Sequence, residues 1–366
     1  KERLRSSAFS AATKNEAFVQ YNESATSFNL FSKYNLALLA MLLIGWTQAN
    51  QAHAQTMVKI DGSSTVFPIT EAVSEDFQTS TKGQVRVTVG VSGTGGGFKK
   101  FCRGETDIQD ASRPITKEEM ANCKQAGISY FELPIAFDAI AIVVNKKNTW
   151  ANEMTTAELK KMWEPDAQGK IMNWNQVNPK WPNEKLILFG ASTDNGTFDY
   201  FTEAINEKSK ASRGDYTASV DHNTRVSGVA GNKGALGYIP YAYYISNKDK
   251  LKLVGIIGGE KSPKKNQAVL PNENTVISGE YYPLSRPIFI YVSQKSLARD
   301  EVKKYVEFYL SNAATMSKQV QYIPLPDSAY KMAKEHVSKQ KLGTVFKGEA
   351  QVGLTIDQIL KKETSL

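Results

Sequence analysis

Three times in this chain a short apolar run gives way to a loop of Gly, Ser, Thr, Asn and Asp that leads directly into apolar residues at helical spacing. The first loop is Asp61-Gly62-Ser63-Ser64-Thr65-Val66-Phe67-Pro68, set between residues 57–60 and the series Ile69, Val73 and Phe77. The second, Ser92-Gly93-Thr94-Gly95-Gly96-Gly97, follows the alternating valines 85, 87, 89 and 91 and runs into Phe98 and Phe101. The third, Ser192-Thr193-Asp194-Asn195-Gly196-Thr197, lies between residues 186–189 and Phe198, Phe201 and Ile205. A helix start leaves unpaired N–H groups and a partial positive charge, Gly lets backbone approach an anion, and Ser or Thr adds a hydroxyl donor. The same residue types also cap helices for stability, so a single loop says little. Three strand–loop–helix copies point to a site for a tetrahedral oxyanion that needs no metal.

The remaining pattern supports an α/β fold. Residues 139–144, 253–257 and 288–292 are short apolar runs of the kind that form buried strands, and Val302, Tyr305, Val306 and Tyr309 keep helical spacing. Alternating strands and helices imply sheets covered on both faces. Thr155 with Glu158, and Thr355 with Gln358, read as capping boxes that open two further helices. Residues 164–184 are rich in Pro, Asn and Trp and read as a long surface connection, and 258–265 reads as a linker. At 366 residues there is length for two domains.

Residues 1–54 read as a leader and signal peptide. Lys33 precedes an apolar run over 36–46, and Ala52-His53-Ala54 makes a small-residue cleavage site, so the mature chain is expected to begin at Gln55. The run is shorter than the roughly twenty residues that span a bilayer, and no Cys stands at the cleavage site for lipid attachment. The expectation is a soluble, exported, periplasmic protein. Cys102 and Cys123 both fall in the exported part, where thiols pair, and one disulfide closing their loop is worth roughly 3 kcal/mol. The net charge of +8 is spread along the chain without an Arg-rich helix or a basic tail, so nucleic acid is not an expected partner.

Catalysis finds little support in the motifs. None of the loops completes a nucleotide-binding signature. The exported part carries only His222 and His336, neither beside a nucleophile elbow, which makes Ser64 a donor rather than a nucleophile. Neither His has a ligand-type neighbour one helical turn away, and no metal or cofactor is expected. A fourth element runs from Gly104 through Asp110-Ala111-Ser112-Arg113-Pro114 to Ile115. Its Arg suits a tetrahedral anion by its planar fork, and equally suits a surface pair with Glu118 or Glu119.

Taken in order, Gly62-Ser63-Ser64-Thr65-Val66-Phe67-Pro68, Ser92 to Phe98, Gly104 to Pro114, Asn195-Gly196-Thr197-Phe198 and Asn232-Lys233-Gly234-Ala235-Leu236-Gly237-Tyr238 resemble the periplasmic phosphate-binding proteins of phosphate ABC transporters. The resemblance covers nearly all of the exported chain. It implies a type II periplasmic binding fold: two α/β lobes, each a mixed sheet flanked by helices, joined by two crossover strands. Residues 57–138 with 265–366 form one lobe in this reading, and 139–264 the other. It also implies a monomer that binds inorganic phosphate and delivers it to a membrane permease, with no chemical step. The implied ligand set is Ser64, Thr65, Val66, Thr94, Ser112, Arg113, Asn195, Gly196 and Thr197. Two departures from the family pattern stand out. Ser112 occupies the position where an acidic acceptor is usual, and no Arg precedes the third loop. Arg113 is therefore expected to supply the cationic contact, with the acceptor lost or moved to Asp110, Asp138 or Asp194. Without a secure acceptor, sulfate or another tetrahedral oxyanion is the alternative ligand. A secreted phosphate-ester hydrolase is the more distant alternative.

Overall fold

The computed structural model describes residues 56–349 and 352–365, so the leader and cleavage site expected over residues 1–54 lie outside the described residues. In chain order the main elements are β1 (Thr56–Gly62), α1 (Phe67–Ser80), β2 (Val85–Val91), α2 (Gly93–Phe101), β3 (Ile108–Ala111), α3 (Lys117–Gln125) and β4 (Tyr130–Asn145). There follow β5 (Glu153–Thr155), α4 (Thr156–Trp163), β6 (Ile187–Ala191), α5 (Gly196–Asn206), β7 (Thr217–Ser219), α6 (His222–Gly231) and β8 (Ala235–Pro240). The chain ends through β9 (Leu251–Leu253), β10 (Gly255–Ile257), β11 (Ala268–Val269), β12 (Ser285–Ser293), α7 (Asp300–Gln319), β13 (Ile323–Pro324), α8 (Asp327–Ser338) and α9 (Ile356–Glu363).

The strand β4 organises everything else. All of its residues are buried, as a strand covered on both faces requires. From Tyr130 to Ala139 it pairs antiparallel with β12, and from Ile140 to Val144 it pairs with β8, so one strand leaves the first lobe's sheet and enters the second's. The return path lies alongside. The Ile140 N–H donates to Leu284 O at 2.7 Å, immediately before β12 begins. The pairing order is β2-β1-β3-β12-β4-β8-β6-β7, with β13 and β9 also on β4. Within each lobe the inner strands run parallel and helices cover them, which is the two-lobed α/β architecture expected.

Most elements fall where periodicity puts them. In α1, Ile69, Val73 and Phe77 are buried, and the hydroxyls of Thr70 and Ser74 meet Tyr309 and Tyr305 of α7 at 3.0 and 2.8 Å. Both expected capping boxes form, and a third opens α3 between Thr116 and Glu119. Cys102 and Cys123 are bonded, with an S–S distance of 2.05 Å, and tie the end of α2 to α3.

Two expectations need correction. The apolar run 253–257 is two strands, because the Val254 N–H turns to Ile142 O at 2.9 Å; β9 then stays on β4, while β10 joins a separate sheet with β5 and β11. Ala268 and Val269 extend that separate sheet by pairing with β10. The connection 164–184 is anchored and does not lie loosely on the surface. Trp174 and Trp181 are buried, packed edge to face with centroids 5.3 Å apart. Their apolar area outweighs the surrounding loop-forming residues.

Candidate functional site

Parallel register brings the loops together. Gly62 stands opposite Val91 on one side and Asp110 on the other, so β1, β2 and β3 end at the same edge, where ligands gather in open α/β sheets. The first and second loops and Ser112 therefore share one end of the first lobe. In the second lobe, β6 and β7 end level at Ala191 and Ser219, which places the starts of α5 and α6 at the opposing edge.

The hydroxyls of both lobes interlock. Thr65 Oγ1 lies 3.1 Å from Thr197 Oγ1, and Asn195 Nδ2 donates to Ser64 Oγ at 3.2 Å. Within the first lobe, Thr94 Oγ1 lies 3.1 Å from Ser112 Oγ and accepts from the Ser112 N–H at 3.2 Å. Gly196 presses onto this pair: a Cβ there would sit 2.4 Å from Thr94 Oγ1 and 2.6 Å from Ser112 Oγ. Asn195 also caps α5 by accepting from the Thr197 N–H at 2.8 Å. Ser64, Thr65, Thr94, Ser112, Asn195, Gly196 and Thr197 are thus gathered in one place, and all are buried.

Two residues of the expected set are differently employed. The Val66 N–H donates to Ser63 O at 3.1 Å inside the turn that starts α1, and its side chain is core. Arg113 is held by carboxylates, one of them the Glu119 that the sequence offered as its alternative partner. Its Nε donates to Asp199 Oδ2 at 2.6 Å, its Nη1 and Nη2 donate to Glu119 at 2.8 Å each, and Nη1 also reaches Pro114 O at 3.0 Å. Two buried carboxylates absorb the fork that the sequence assigned to an anion. Their joint pull lifts the guanidinium pKa further, against the cost of burial.

The cation inside the hydroxyl cluster is Arg286, which the motifs did not identify. It is fully buried and donates from Nη2 to Thr197 Oγ1 at 2.8 Å and to Thr65 Oγ1 at 3.4 Å, and from Nη1 to Gly196 O at 3.1 Å. Its register partner across β12 and β4 is Asp138, whose Oδ2 accepts from Nε and Nη2 at 3.1 and 2.9 Å. A usable signal was present: an Arg just ahead of the buried apolar run 288–292 has no reason to be there unless it is paired. Of the three acidic alternatives, Asp194 is largely exposed beside Lys99. Asp110 is buried with both oxygens unpartnered, and burial pushes its pKa well up. Asp138 alone contacts the cluster's cation, and its Oδ1 is buried without a partner. Burial pushes its pKa up, against the opposing pull of Arg286.

Helix starts, buried hydroxyls and one ion-paired Arg meeting where two α/β lobes face each other define a two-lobed fold of the binding-protein kind. A family model described as a PBP superfamily domain matches residues 47–313, and the chain belongs to that superfamily. The protein SphX of Synechococcus elongatus is 49% identical over 86% of this chain and 91% of its own length. The phosphate-binding protein PstS of Staphylococcus saprophyticus is 37% identical over 80% and 89%. Among solved structures, a possible phosphate-binding protein from Planctomyces limnophilus is 46% identical with a TM-score of 0.60, covering 78% of this chain and 99% of its own. A putative phosphate ABC transporter substrate-binding protein from Clostridium perfringens, with bound phosphate, is 27% identical with a TM-score of 0.60, covering 74% and 100%.

Proposed function

We propose that this chain captures inorganic phosphate between its lobes and delivers it unchanged, as an exported monomer, to the membrane permease of an ABC transporter. The observation that carries the reading is one buried cluster in which Arg286 donates to Thr65 and Thr197, Asn195 donates to Ser64, and Thr94 pairs with Ser112. Gly196 keeps the third loop close enough to join them. Arg286 replaces Arg113 in the proposed ligand set, and Val66 leaves it. Relatives named phosphate-binding protein support the choice of anion. The orphaned Asp138 Oδ1 supports it chemically, because a carboxylate oxygen accepts the proton of hydrogen phosphate and repels sulfate, which has none to give.

The proposed lobes are residues 57–138 with 285–366, and 139–284, hinged where Ile140 meets Leu284. Export rests on the signal-like residues 31–55, with cleavage after Ala54. Among the described residues no helix is long and apolar enough to cross a membrane. Binding without turnover fits a site whose only reactive hydroxyls are engaged with one another.

Calorimetric titration of the mature chain with phosphate, then with sulfate in competition, tests this. A micromolar or tighter phosphate Kd, about 8 kcal/mol or more, with sulfate far weaker is expected. Equal displacement by sulfate reassigns the anion, and no heat with either refutes the function.

A further inference from the structure

Four arginines are buried among the described residues, and three have carboxylate partners: Arg113 with Glu119 and Asp199, Arg213 with Asp215, and Arg286 with Asp138. Arg225, on α6 at the cleft edge of the second lobe, is fully buried and has none. Its Nη1 donates to Tyr238 O at 2.9 Å, its Nη2 meets His222 Nδ1, and its Nε has no partner. An unmatched buried cation is costly, and a fold retains one where something else supplies the negative charge.

His222 is set by this contact. It is buried, its ring centroid lies 4.4 Å from that of Tyr243, and burial together with Arg225 holds its pKa well down, so the ring is neutral. A neutral ring that accepts at Nδ1 carries its hydrogen on Nε2. With Nδ1 taken by Arg225, the ring is left to hydrogen-bond the backbone of Ser64, in the first loop of the opposite lobe. Arg225 also lies within electrostatic reach of Arg286 and Asp138. Arg286 is paired with Asp138 and Arg113 with two carboxylates, whereas no carboxylate hydrogen-bonds Arg225, which feels the more distant charge of Asp221 on its own helix cap.

We propose that Arg225 and His222 form a further anion-binding element, Arg225 as the counter-charge for a captured oxyanion dianion and His222 as the neutral ring that positions it against the first loop. The inference rests on the functional reading above and extends it to two residues outside the four loops. It makes an unusual combined demand: removing Arg225 weakens anion capture and relieves the ligand-free fold of an uncompensated charge.

The variants Arg225→Met and Arg225→Gln, compared with the unaltered mature chain, test this by phosphate calorimetry and by the thermal midpoint without phosphate. The expected result is a phosphate Kd weaker by about tenfold or more, as loss of one charge at low dielectric predicts. The phosphate-free midpoint should be unchanged or higher. An unchanged Kd, or a midpoint that falls in both variants as for a structural Arg, overturns the proposal. If the unaltered chain binds no phosphate the functional reading itself fails, while the midpoint still judges whether Arg225 is an unmatched charge.

Discussion

Arg286 and Asp138 face each other across β12 and β4, with two guanidinium nitrogens 2.9 and 3.1 Å from the same carboxylate oxygen, at the point where the chain passes between its lobes. The pair anchors the cluster's cation on two strands that are buried along their whole length. Arg286→Ala would leave Asp138 buried and uncompensated, at a cost of about 3–5 kcal/mol. Urea denaturation without phosphate reads that loss, and calorimetry should show phosphate binding abolished. A stability within 1 kcal/mol of the unaltered chain would contradict the pairing.

Arg113 joins Glu119 of the first lobe to Asp199 of the second. Asp199→Asn keeps the Glu119 pair and breaks only the contact between lobes, so closure alone should suffer. We expect phosphate binding weaker by about 2 kcal/mol or more, seen mainly as faster release in stopped-flow measurements. Release at the normal rate would show that this pair does not hold the lobes together.

The contact at Gly196 is also specific to closure, since its neighbours Thr94 and Ser112 belong to the opposite lobe. Gly196→Ala adds a methyl where no room exists, costing about 1–3 kcal/mol in the closed form. Weaker phosphate binding with an unaltered melting profile in its absence is the expected outcome. Normal affinity would mean that the helix starts stand further apart in solution.

A pH dependence arises far from the cleft. Glu363 of α9 and Glu132 of β4 are buried, and burial pushes both carboxyl groups up from their ordinary range, Glu363 also through the nearness of Glu132. Glu132 accepts from Tyr291 Oη at 2.5 Å and from the Val345 N–H at 3.2 Å. His336 Nδ1 lies 3.6 Å from Glu363, and burial holds the imidazole pKa down. At the two carboxyl groups the native state keeps protons that the unfolded chain releases above about pH 4.5, so their contribution to stability falls as pH rises, by about 1.4 kcal/mol per pH unit per proton, while His336, held neutral, acts in the opposite sense below its ordinary pKa. Glu363→Gln should flatten the decline in thermal midpoint between about pH 5 and pH 8 and raise the value at the upper end. A variant with the same slope as the unaltered chain would exclude Glu363 as its source.

Local features of the chain were legible from the sequence. The alternating valines of β2, the buried face of α1, the two capping boxes, the cysteine pair and the three helix-start loops each depend on residues close together in the chain, where periodicity and turn chemistry act directly. The hydroxyls of the site belong to this class, since each sits where its own strand ends and its own helix begins. What only the tertiary structure decided is which charges meet. Arg113 and Arg286 are both Arg-Pro dipeptides near the ends of apolar runs, and nothing local separates them. Burial opposite Glu119 and Asp199 commits the first to ion pairs, while strand register sets the second against Asp138 beneath Thr65 and Thr197. A buried charge takes its role from the partners that remain once water is excluded: Asp138 lies 148 residues from Arg286, and Arg113 joins the local Glu119, 6 residues on, to Asp199, 86 residues on.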